Sequence, residues 1–300
     1  MTLALTGATG FVGQAVLDEA ARRGLAVKAL TRREQQPREG VEWVQGDLAD
    51  TDALAELVRG TGAVLHIAGV VNAPDAAGFR AGNVAGTENV VSAARDAGVE
   101  RFVHVSSLAA REPGLSDYGH SKRMAEEVVQ VSGLDWTMVR PPAVYGPRDT
   151  EMFELFKAAR WNVLPMPPEG RASIIHVADL ARLLLDLVPA DMADRIFEPD
   201  DGTRSGFAHR ELAKAIGAAV GKRVWAPHIP RTLLAGAAKL DRFLRRDRAK
   251  LTPDRARYMA HPDWVSDPEK RVPANVWSPH IATREGLVQT AQWYRDQGWL

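Results

Sequence analysis

The first half of the chain alternates short apolar, β-branched runs with stretches in which apolar residues recur at helical spacing. The runs predict strands and the stretches predict helices. The predicted strands cover residues 3–6, 26–31, 41–45, 63–67, 101–106 and 136–140, and the predicted helices cover 11–23, 52–59, 83–97 and 118–131. Such alternation needs right-handed crossovers, so we expect an α/β fold with a doubly wound parallel sheet.

The pattern becomes less regular after Pro141-Pro142, and prolines become frequent. We therefore expect a first domain over residues 1–147. A predicted strand at 173–176, a helix at 178–187 and a strand near 196–197 indicate that residues 172–199 return to it. Residues 148–171 and 200–300 then form a smaller, sequence-interleaved C-terminal lobe.

Composition narrows the classes of partner. The chain has 300 residues, 45% of them hydrophobic, and its 38 basic and 38 acidic residues give no net charge to attract nucleic acid. It opens on a strand pattern rather than a secretory signal, and no run approaches about 20 apolar residues, so we expect a cytoplasmic protein with no integral membrane segment. Cysteine is absent, which excludes disulfides and thiolate metal sites. A small-molecule substrate and no metal are expected.

Residues 231–246 place Leu233, Ala237, Leu240 and Leu244 at helical spacing among basic residues. A basic amphipathic helix of this kind can lie on a membrane surface. The alternative, which we favour from the sequence, is a helix packed on its own lobe with a solvated basic face.

The first predicted strand runs into the segment Thr6-Gly7-Ala8-Thr9-Gly10-Phe11-Val12-Gly13, which opens the first predicted helix. This is the context in which a glycine-rich turn binds a dinucleotide. Gly7 permits the tight turn, Gly10 lets the backbone approach a pyrophosphate, and Gly13 allows close packing of helix on strand. The segment therefore predicts a Rossmann-type cofactor site, with glycines that serve only the turn as the alternative.

The second predicted strand is followed by Arg32 and Arg33, where NAD-specific sheets carry an acidic residue. A guanidinium there would meet a 2′-phosphate, which favours NADP(H) over NAD. Exposed arginines without a ligand are the alternative.

Two further strand ends point to the same cofactor. Asp47, followed by Leu48, could accept a hydrogen bond from an adenine amino group, although it is equally a candidate helix N-cap. Ala68 and Gly69 follow the fourth strand and are small enough for the backbone to lie against the cofactor.

Tyr118 and Lys122 begin a predicted helix, and their spacing puts phenol and ammonium on one face. A tyrosine that acts as acid or base near neutral pH needs its phenolate stabilised by about 3 pKa units, or about 4 kcal/mol. A neighbouring cation supplies this. Ser107, at the end of the fifth strand, could hydrogen-bond the reacting oxygen.

The chain resembles the extended short-chain dehydrogenase/reductase family, also called the NAD-dependent epimerase/dehydratase family. The resemblance runs through nearly the whole chain and rests on the glycine segment 6–13, Val105-Ser106-Ser107, the Tyr118 and Lys122 pair, residues 140–147, His176-Val177-Ala178-Asp179-Leu180-Ala181, and the ending 285–300.

The resemblance implies a role for each matched residue. Tyr118 would be the general acid and base, Lys122 would lower its pKa and hold the nicotinamide ribose, and Ser107 would orient the substrate oxygen. Asn83 would support a proton relay or line the cleft. Pro141, Ala143 and Val144 would contact the carboxamide end of the nicotinamide. A homodimer through the helices near 83–97 and 118–131 is also implied by the resemblance.

One departure from the family bears on the substrate. Sugar-nucleotide epimerases of the family usually have asparagine where Ala143 stands, so a nucleotide sugar is disfavoured. The leading hypothesis is an NADP(H)-dependent oxidoreductase that interconverts a carbonyl and a secondary alcohol on a small, apolar substrate. The alternatives are a nucleotide-sugar epimerase or dehydratase that uses the cofactor transiently, and a non-catalytic NADPH-binding scaffold or sensor.

Other residues are given no chemical role. The histidines at 104, 120 and 176 are interpreted as packed or hydrogen-bonded side chains. The larger side chains of the lobe fit either an apolar substrate or the lobe's own core, and these are Trp161, Met166, Trp225, Trp264 and Trp277.

Overall fold

The computed structural model describes residues 1–245 and 251–300. Its strands in chain order are β1 (Leu3–Thr6), β2 (Val27–Thr31), β3 (Val41–Gln45), β4 (Ala63–His66), β5 (Arg101–Val105), β6 (Asp135–Val139), β7 (Ala143–Tyr145), β8 (Arg171–Ala172), β9 (Ile174–His176), β10 (Arg195–Phe197), β11 (Phe207–Ala208) and β12 (Asp263–Trp264). Its α-helices are α1 (Phe11–Arg22), α2 (Thr51–Val58), α3 (Ala76–Phe79), α4 (Gly86–Asp96), α5 (Asp117–Gln130), α6 (Thr150–Ala159), α7 (Val177–Leu187), α8 (His209–Ala219), α9 (Arg231–Arg245), α10 (Pro253–Met259) and α11 (Thr283–Asp296).

Seven parallel strands form the main sheet, in the order β10-β6-β5-β4-β1-β2-β3. Residues of β1, β4 and β5 are all buried, as expected for central parallel strands covered on both faces. The strand order reverses between β1 and β4, and a sheet of this kind binds ligands outside the carboxyl ends of its strands at such a point. The predicted doubly wound α/β fold is confirmed.

Local signals explain where the helices near this point begin. Asp50 caps α2 by accepting a hydrogen bond from the Ala53 N–H at 3.0 Å, and Ser116 caps α5 by accepting one from the Gly119 N–H at 3.0 Å. The helix predicted from residue 83 begins earlier, because α3 continues through a wider π turn over Arg80–Ala85 into α4.

Contacts between Cα atoms divide the chain into two compact units. The first unit contains Met1–Arg140, Leu180–Glu198 and Lys270–Ser278, and the main sheet lies within it. Its core is a cluster of aliphatic side chains with Phe102 and Trp136 between the sheet and its helices. The domain limits predicted from the sequence concern which segments fold as one unit, and they stay a prediction.

The second unit contains Pro141–Asp179, Pro199–Glu269 and Pro279–Leu300. Two small sheets, β11-β8-β12 and β7-β9, lie in it. The fully buried Tyr145, Phe156 and Tyr294 belong to its largest core cluster, to which α6, α8 and α11 contribute. Residue 246, the last of the predicted basic helix, lies outside the described residues.

None of the helices in the described ranges has the length and the apolar content needed to span a bilayer.

Candidate active site

The glycine turn after β1 has no room for a side chain at Gly7 or Gly13. Gly7 has a left-handed φ of 76°, and a Cβ added to it would lie 2.7 Å from the Ala68 backbone nitrogen. A Cβ added to Gly13 would lie 2.0 Å from the Gly7 carbonyl oxygen. Gly10, at the N-cap of α1, provides no side-chain hydrogen bond, and Thr9 is exposed, so the first N–H groups of α1 are open to a ligand. The turn therefore fits the pyrophosphate of a dinucleotide, and Phe11 and Val12 behind it are half-buried.

Arg32 and Arg33 are exposed directly after β2. The Thr31 hydroxyl donates to the Arg33 carbonyl at 2.7 Å and fixes the turn that carries both guanidinium groups. Within residues 1–245 and 251–300 neither arginine makes an ion pair, so both guanidinium groups are available to an anion.

Asp47 is exposed, and its carboxylate accepts a hydrogen bond from the Ala49 N–H at 2.8 Å. Because Asp50 is the cap of α2, the N-cap interpretation of Asp47 does not hold. Leu48 packs against α4, where a Cβ added to Gly86 would come within 2.7 Å of its side chain.

A chain of hydrogen bonds joins the glycine turn to α4 through the buried His66. Its Nδ1 lies 2.6 Å from the Thr6 hydroxyl, and its Nε2 lies 3.0 Å from the Thr87 hydroxyl. The Thr87 hydroxyl donates to the Asn83 carbonyl at 2.6 Å, and the Thr6 hydroxyl accepts from the Ala68 N–H at 3.2 Å. These partners assign the tautomer, because only an imidazole that carries its proton on Nε2 satisfies every group.

Asn83, in the π turn, is buried and uses both ends of its amide. Its Nδ2 donates to the Val70 carbonyl at 3.0 Å and to the Ser121 hydroxyl at 2.8 Å, and its Oδ1 accepts from the Val70 N–H at 2.6 Å. A Cβ added to Gly69 would lie 3.0 Å from this Oδ1 and 3.7 Å from the Lys122 Nζ. The loop after β4, the π turn and α5 therefore meet at this asparagine.

Lys122 is only 4% exposed, and its Nζ donates to the Val105 carbonyl at 2.8 Å, at the carboxyl end of β5. Burial lowers the pKa of Lys122 to about 8, while the Glu126 carboxylate opposes the shift. Only this hydrogen bond of the ammonium is present among the described residues. Two of its three N–H donors are therefore left for other partners.

Tyr118 is half-buried, and its ring lies 6.0 Å from the Phe79 ring. Ser107 begins a 3₁₀ turn over Leu108–Arg111, where its hydroxyl oxygen accepts from the Ala109 N–H at 3.1 Å. A Cβ added to Gly119 would come within 2.7 Å of the Ala109 carbonyl, so the start of α5 packs closely on this turn. The structure thus brings the turns that carry Ser107 and Tyr118 together beside Lys122.

A buried ion network lies behind this cluster, and it was not predicted from the sequence. Arg140 contacts Glu126 through two hydrogen bonds, of 2.8 and 2.6 Å, and Glu198 through one of 3.3 Å. The Ser106 hydroxyl donates to Glu126 at 2.5 Å. Lys270 also pairs with Glu198, at 3.5 Å. Glu126 lies one helical turn after Lys122, so the network fixes the part of α5 that carries the lysine.

The structure also places the remaining residues that the sequence singled out. Pro141, Ala143 and Val144 belong to the second unit, where β7 pairs with β9. His120 is exposed, and the His176 Nδ1 accepts from the Ala178 N–H at 3.2 Å.

The larger lobe side chains divide into two groups. Met166, Trp264 and Trp277 are buried, whereas Trp161 and Trp225 are exposed.

Comparison with known proteins indicates the class of cofactor. A family model described as NAD(P)H-binding matches residues 7–190. The ceramide reductase of Caulobacter vibrioides is 35% identical over 99% of this chain and 96% of its own length. The 2-alkyl-3-oxoalkanoate reductase of Stenotrophomonas maltophilia is 29% identical over 96% of this chain and 97% of its own length.

The fold agrees as well. The crystal structure of the UDP-glucose 4-epimerase of Thermus thermophilus in complex with NAD superposes with a TM-score of 0.72 at 21% identity, covering 98% of this chain and 99% of that chain. The chain belongs to the NAD-dependent epimerase/dehydratase family, and it is an NAD(P)-dependent oxidoreductase of the extended short-chain dehydrogenase/reductase type.

Proposed function

We propose that the protein uses NADP(H) to interconvert a carbonyl group and a secondary alcohol on an apolar substrate, with Tyr118 as general acid and base. One observation carries this proposal. Lys122 is a buried ammonium with two unused donors, one helical turn after the half-buried Tyr118. A buried cation with so few partners is costly. It is explained if its free donors hold a cofactor ribose and face a phenolate.

The residues present account for the proton chemistry of a reduction. Tyr118 donates its phenolic proton to the carbonyl oxygen, and the Lys122 ammonium stabilises the phenolate that remains. The Ser107 oxygen already accepts from the Ala109 N–H, so its own hydrogen is free to bond the same carbonyl oxygen. A bound nicotinamide cofactor supplies the hydride to the carbonyl carbon. In the oxidation direction the phenolate takes the proton back from the alcohol.

The cofactor would be held along the carboxyl ends of the strands. The glycine turn would bind the pyrophosphate, Arg32 and Arg33 a 2′-phosphate, and Asp47 the adenine amino group. Ala68 and Gly69 are small and would leave room for the cofactor beside the end of β4. Pro141, Ala143 and Val144 are assigned to the carboxamide end by family resemblance.

Asn83 is proposed as a positioning residue. Both of its N–H donors are bonded within the chain, to Val70 and Ser121. It therefore holds the loop after β4 against α5, next to Lys122.

Tyr118→Phe tests the assignment. Removal of the hydroxyl should abolish carbonyl reduction, followed as loss of NADPH absorbance, and should leave NADPH binding unchanged in a fluorescence titration. His120→Gln is the matched control, since His120 is exposed on the same helix and should tolerate the change. Turnover by Tyr118→Phe at the wild-type rate would remove the tyrosine from the mechanism.

The substrate class is proposed from the two reductases named above, because ceramide and 2-alkyl-3-oxoalkanoate both carry alkyl chains. We expect ketones with long alkyl chains to be reduced more efficiently than short ones. Each methylene that enters an apolar pocket should raise kcat/KM about four-fold, the equivalent of about 0.8 kcal/mol. A series of 3-oxo esters of increasing chain length measures this, and a flat profile would contradict the proposed substrate class.

A nucleotide-sugar epimerase or dehydratase is the competing function. It would show cofactor retained through purification and turnover without net change in NADPH absorbance. The alanine at position 143, in β7, argues against it, because asparagine is usual there in the sugar-nucleotide enzymes.

A further inference from the structure

Helix α9 has two apolar faces, and only one of them is packed. Leu234 and Ala238 are buried against Ala256 of α10, in a small cluster within the second unit. These contacts join α9 to α10 within the second unit. They account for one narrow side of the helix.

The other apolar face is open to solvent. Leu233, Leu240, Phe243 and Leu244 are 65%, 58%, 80% and 69% exposed. With each residue advancing a helix by about 100°, the centre of this exposed stripe lies about 140° from the packed face. We call these four residues the α9 stripe. The sequence favoured a packed helix with a solvated face, whereas in the structure the leucines at 233, 240 and 244 are exposed.

A stripe of this kind favours a partner that removes its apolar side chains from water. Single exposed leucines are ordinary, but four large apolar side chains along one helix form a continuous patch of the kind that marks an interaction site.

Charge indicates what the partner is. Within α9, residues 231–245 contain four Lys and Arg and one Asp, in a chain whose overall charge is zero. Lys239 lies about 100° around the helix from the centre of the α9 stripe, is exposed and makes no ion pair within the described part of the chain. A basic helix with an exposed apolar face suits a surface of anionic lipid headgroups, which attract its positive charge while the apolar side chains leave water.

Two exposed tryptophans lie on paired segments of the same unit, and one of them shortly precedes α9 in the chain. Trp225 is 69% exposed and Trp161 is 81% exposed, and the strand segments around them pair through the Trp225 N–H and the Asn162 carbonyl at 2.8 Å. Trp225 lies six residues before Arg231, the first residue of α9, so the Cα atoms of these two residues are at most about 22 Å apart. Tryptophan is the side chain most typical of membrane–water interfaces.

We propose that α9 docks this protein on the surface of an anionic phospholipid bilayer, with the α9 stripe inserted at the level of the headgroups and Lys239 among the lipid phosphates. Binding of this type is peripheral and reversible, and it depends on salt. It does not rest on the reaction proposed above.

Vesicle sedimentation of the full chain tests the proposal. Vesicles of phosphatidylcholine mixed with phosphatidylglycerol should bind the protein, and vesicles of phosphatidylcholine alone should bind it much more weakly. Leu240→Gln and Leu244→Gln should each lower the partition coefficient about ten-fold, through lost apolar burial. Lys239→Gln should lower it about five-fold on the anionic vesicles only.

Val288→Gln is the matched control, because Val288 is a 52% exposed apolar residue on α11 of the same unit. It should bind as the wild type does. All four variants alter exposed side chains, so unchanged melting temperatures verify that they fold.

Three results would overturn the proposal. The wild type could fail to bind the anionic vesicles, or the two leucine variants could bind them as well as the wild type does. Alternatively, sedimentation equilibrium could show a wild-type dimer that Leu240→Gln dissociates, with no vesicle binding. The α9 stripe would then be an interface between two copies of the chain.

Discussion

His66 and His104 are buried side by side in neighbouring strands, with ring centroids 5.3 Å apart. Burial lowers the pKa of His66 to about 3 and that of His104 well below its ordinary value, and the nearby Lys122 charge adds to both shifts. Neither ring nitrogen of His104 has a hydrogen-bond partner in the part of the chain that the structure describes. Both imidazoles are therefore neutral in the native state.

This neutrality predicts how stability depends on pH. Below about pH 6.5 the histidines of the unfolded chain bind protons that the native ones do not, so the free energy of unfolding falls as the pH falls. The loss should approach about 1.4 kcal/mol per pH unit for each of the two histidines between pH 6 and about pH 4. Urea denaturation at a series of pH values measures the slope.

His104→Leu is the informative variant for this slope. It removes one of the two titrating groups and fills the same space with an apolar side chain, so the acid slope should fall by the share of one histidine. It should also raise the stability at neutral pH by about 1 kcal/mol, because an unbonded polar group leaves the core. An acid slope equal to that of the wild type would show that His104 is not held neutral.

At the scale of one element, α5 depends on the ion network around Arg140. Its guanidinium separates two fully buried carboxylates, Glu126 of α5 and Glu198. Because removal of one partner leaves buried charge uncompensated, Arg140→Met should lower the free energy of unfolding by about 3–5 kcal/mol.

The same substitution on the surface provides the control. Arg257→Met removes a largely exposed guanidinium that pairs with Asp254 at 3.3 Å, and it should change stability by no more than about 0.5 kcal/mol. Chemical denaturation compares the two variants. Equal effects would mean that the Arg140 network contributes nothing beyond an exposed ion pair.

The sequence indicated the residues of the candidate site more clearly than the residues that pack behind them. The glycine segment, Tyr118 and Lys122 stand out because each is a short pattern at the end of a predicted strand or the start of a helix. The network was missed because Glu126, Glu198 and Lys270 are far apart along the chain, and nothing local marks their meeting. The α9 stripe was misjudged for a similar reason, since periodicity shows which side of a helix is apolar but not whether another element covers it.

At the scale of the whole molecule, cofactor binding should stabilise the native state. A ligand that binds only the folded chain adds about 2.7 kcal/mol to the free energy of unfolding at a hundred times its Kd. Because Arg32 and Arg33 are proposed to bind the 2′-phosphate, NADPH should bind more tightly than NADH. We therefore expect NADPH to raise the melting temperature more than NADH does at equal concentration. The difference should disappear in Arg32→Ser with Arg33→Ser, whose guanidinium groups are free in the described chain.

Arg59→Ser is the control for that pair, because Arg59 is a largely exposed arginine at the end of α2. It should keep the difference between NADPH and NADH. A double variant that still distinguishes the two cofactors would place the 2′-phosphate elsewhere.

The fold was predicted best where the pattern of apolar residues along the chain is regular. The strands of the main sheet were predicted to within about a residue or two, because parallel strands covered on both faces are continuous apolar runs. The second unit has two- and three-residue strands, such as β8 and β12, which are too short for a periodic pattern to form. Its architecture comes from contacts between distant segments.

The π turn over Arg80–Ala85 has a consequence for chain length. Such a turn holds one residue more than a regular helical turn, and each residue rotates a helix by about 100°. Deleting a single residue here would leave helix on both sides, yet it would swing Asn83 away from Val70 and Ser121. The one additional residue in this turn therefore sets the direction of the Asn83 side chain. A comparison limited to sequence motifs would miss it.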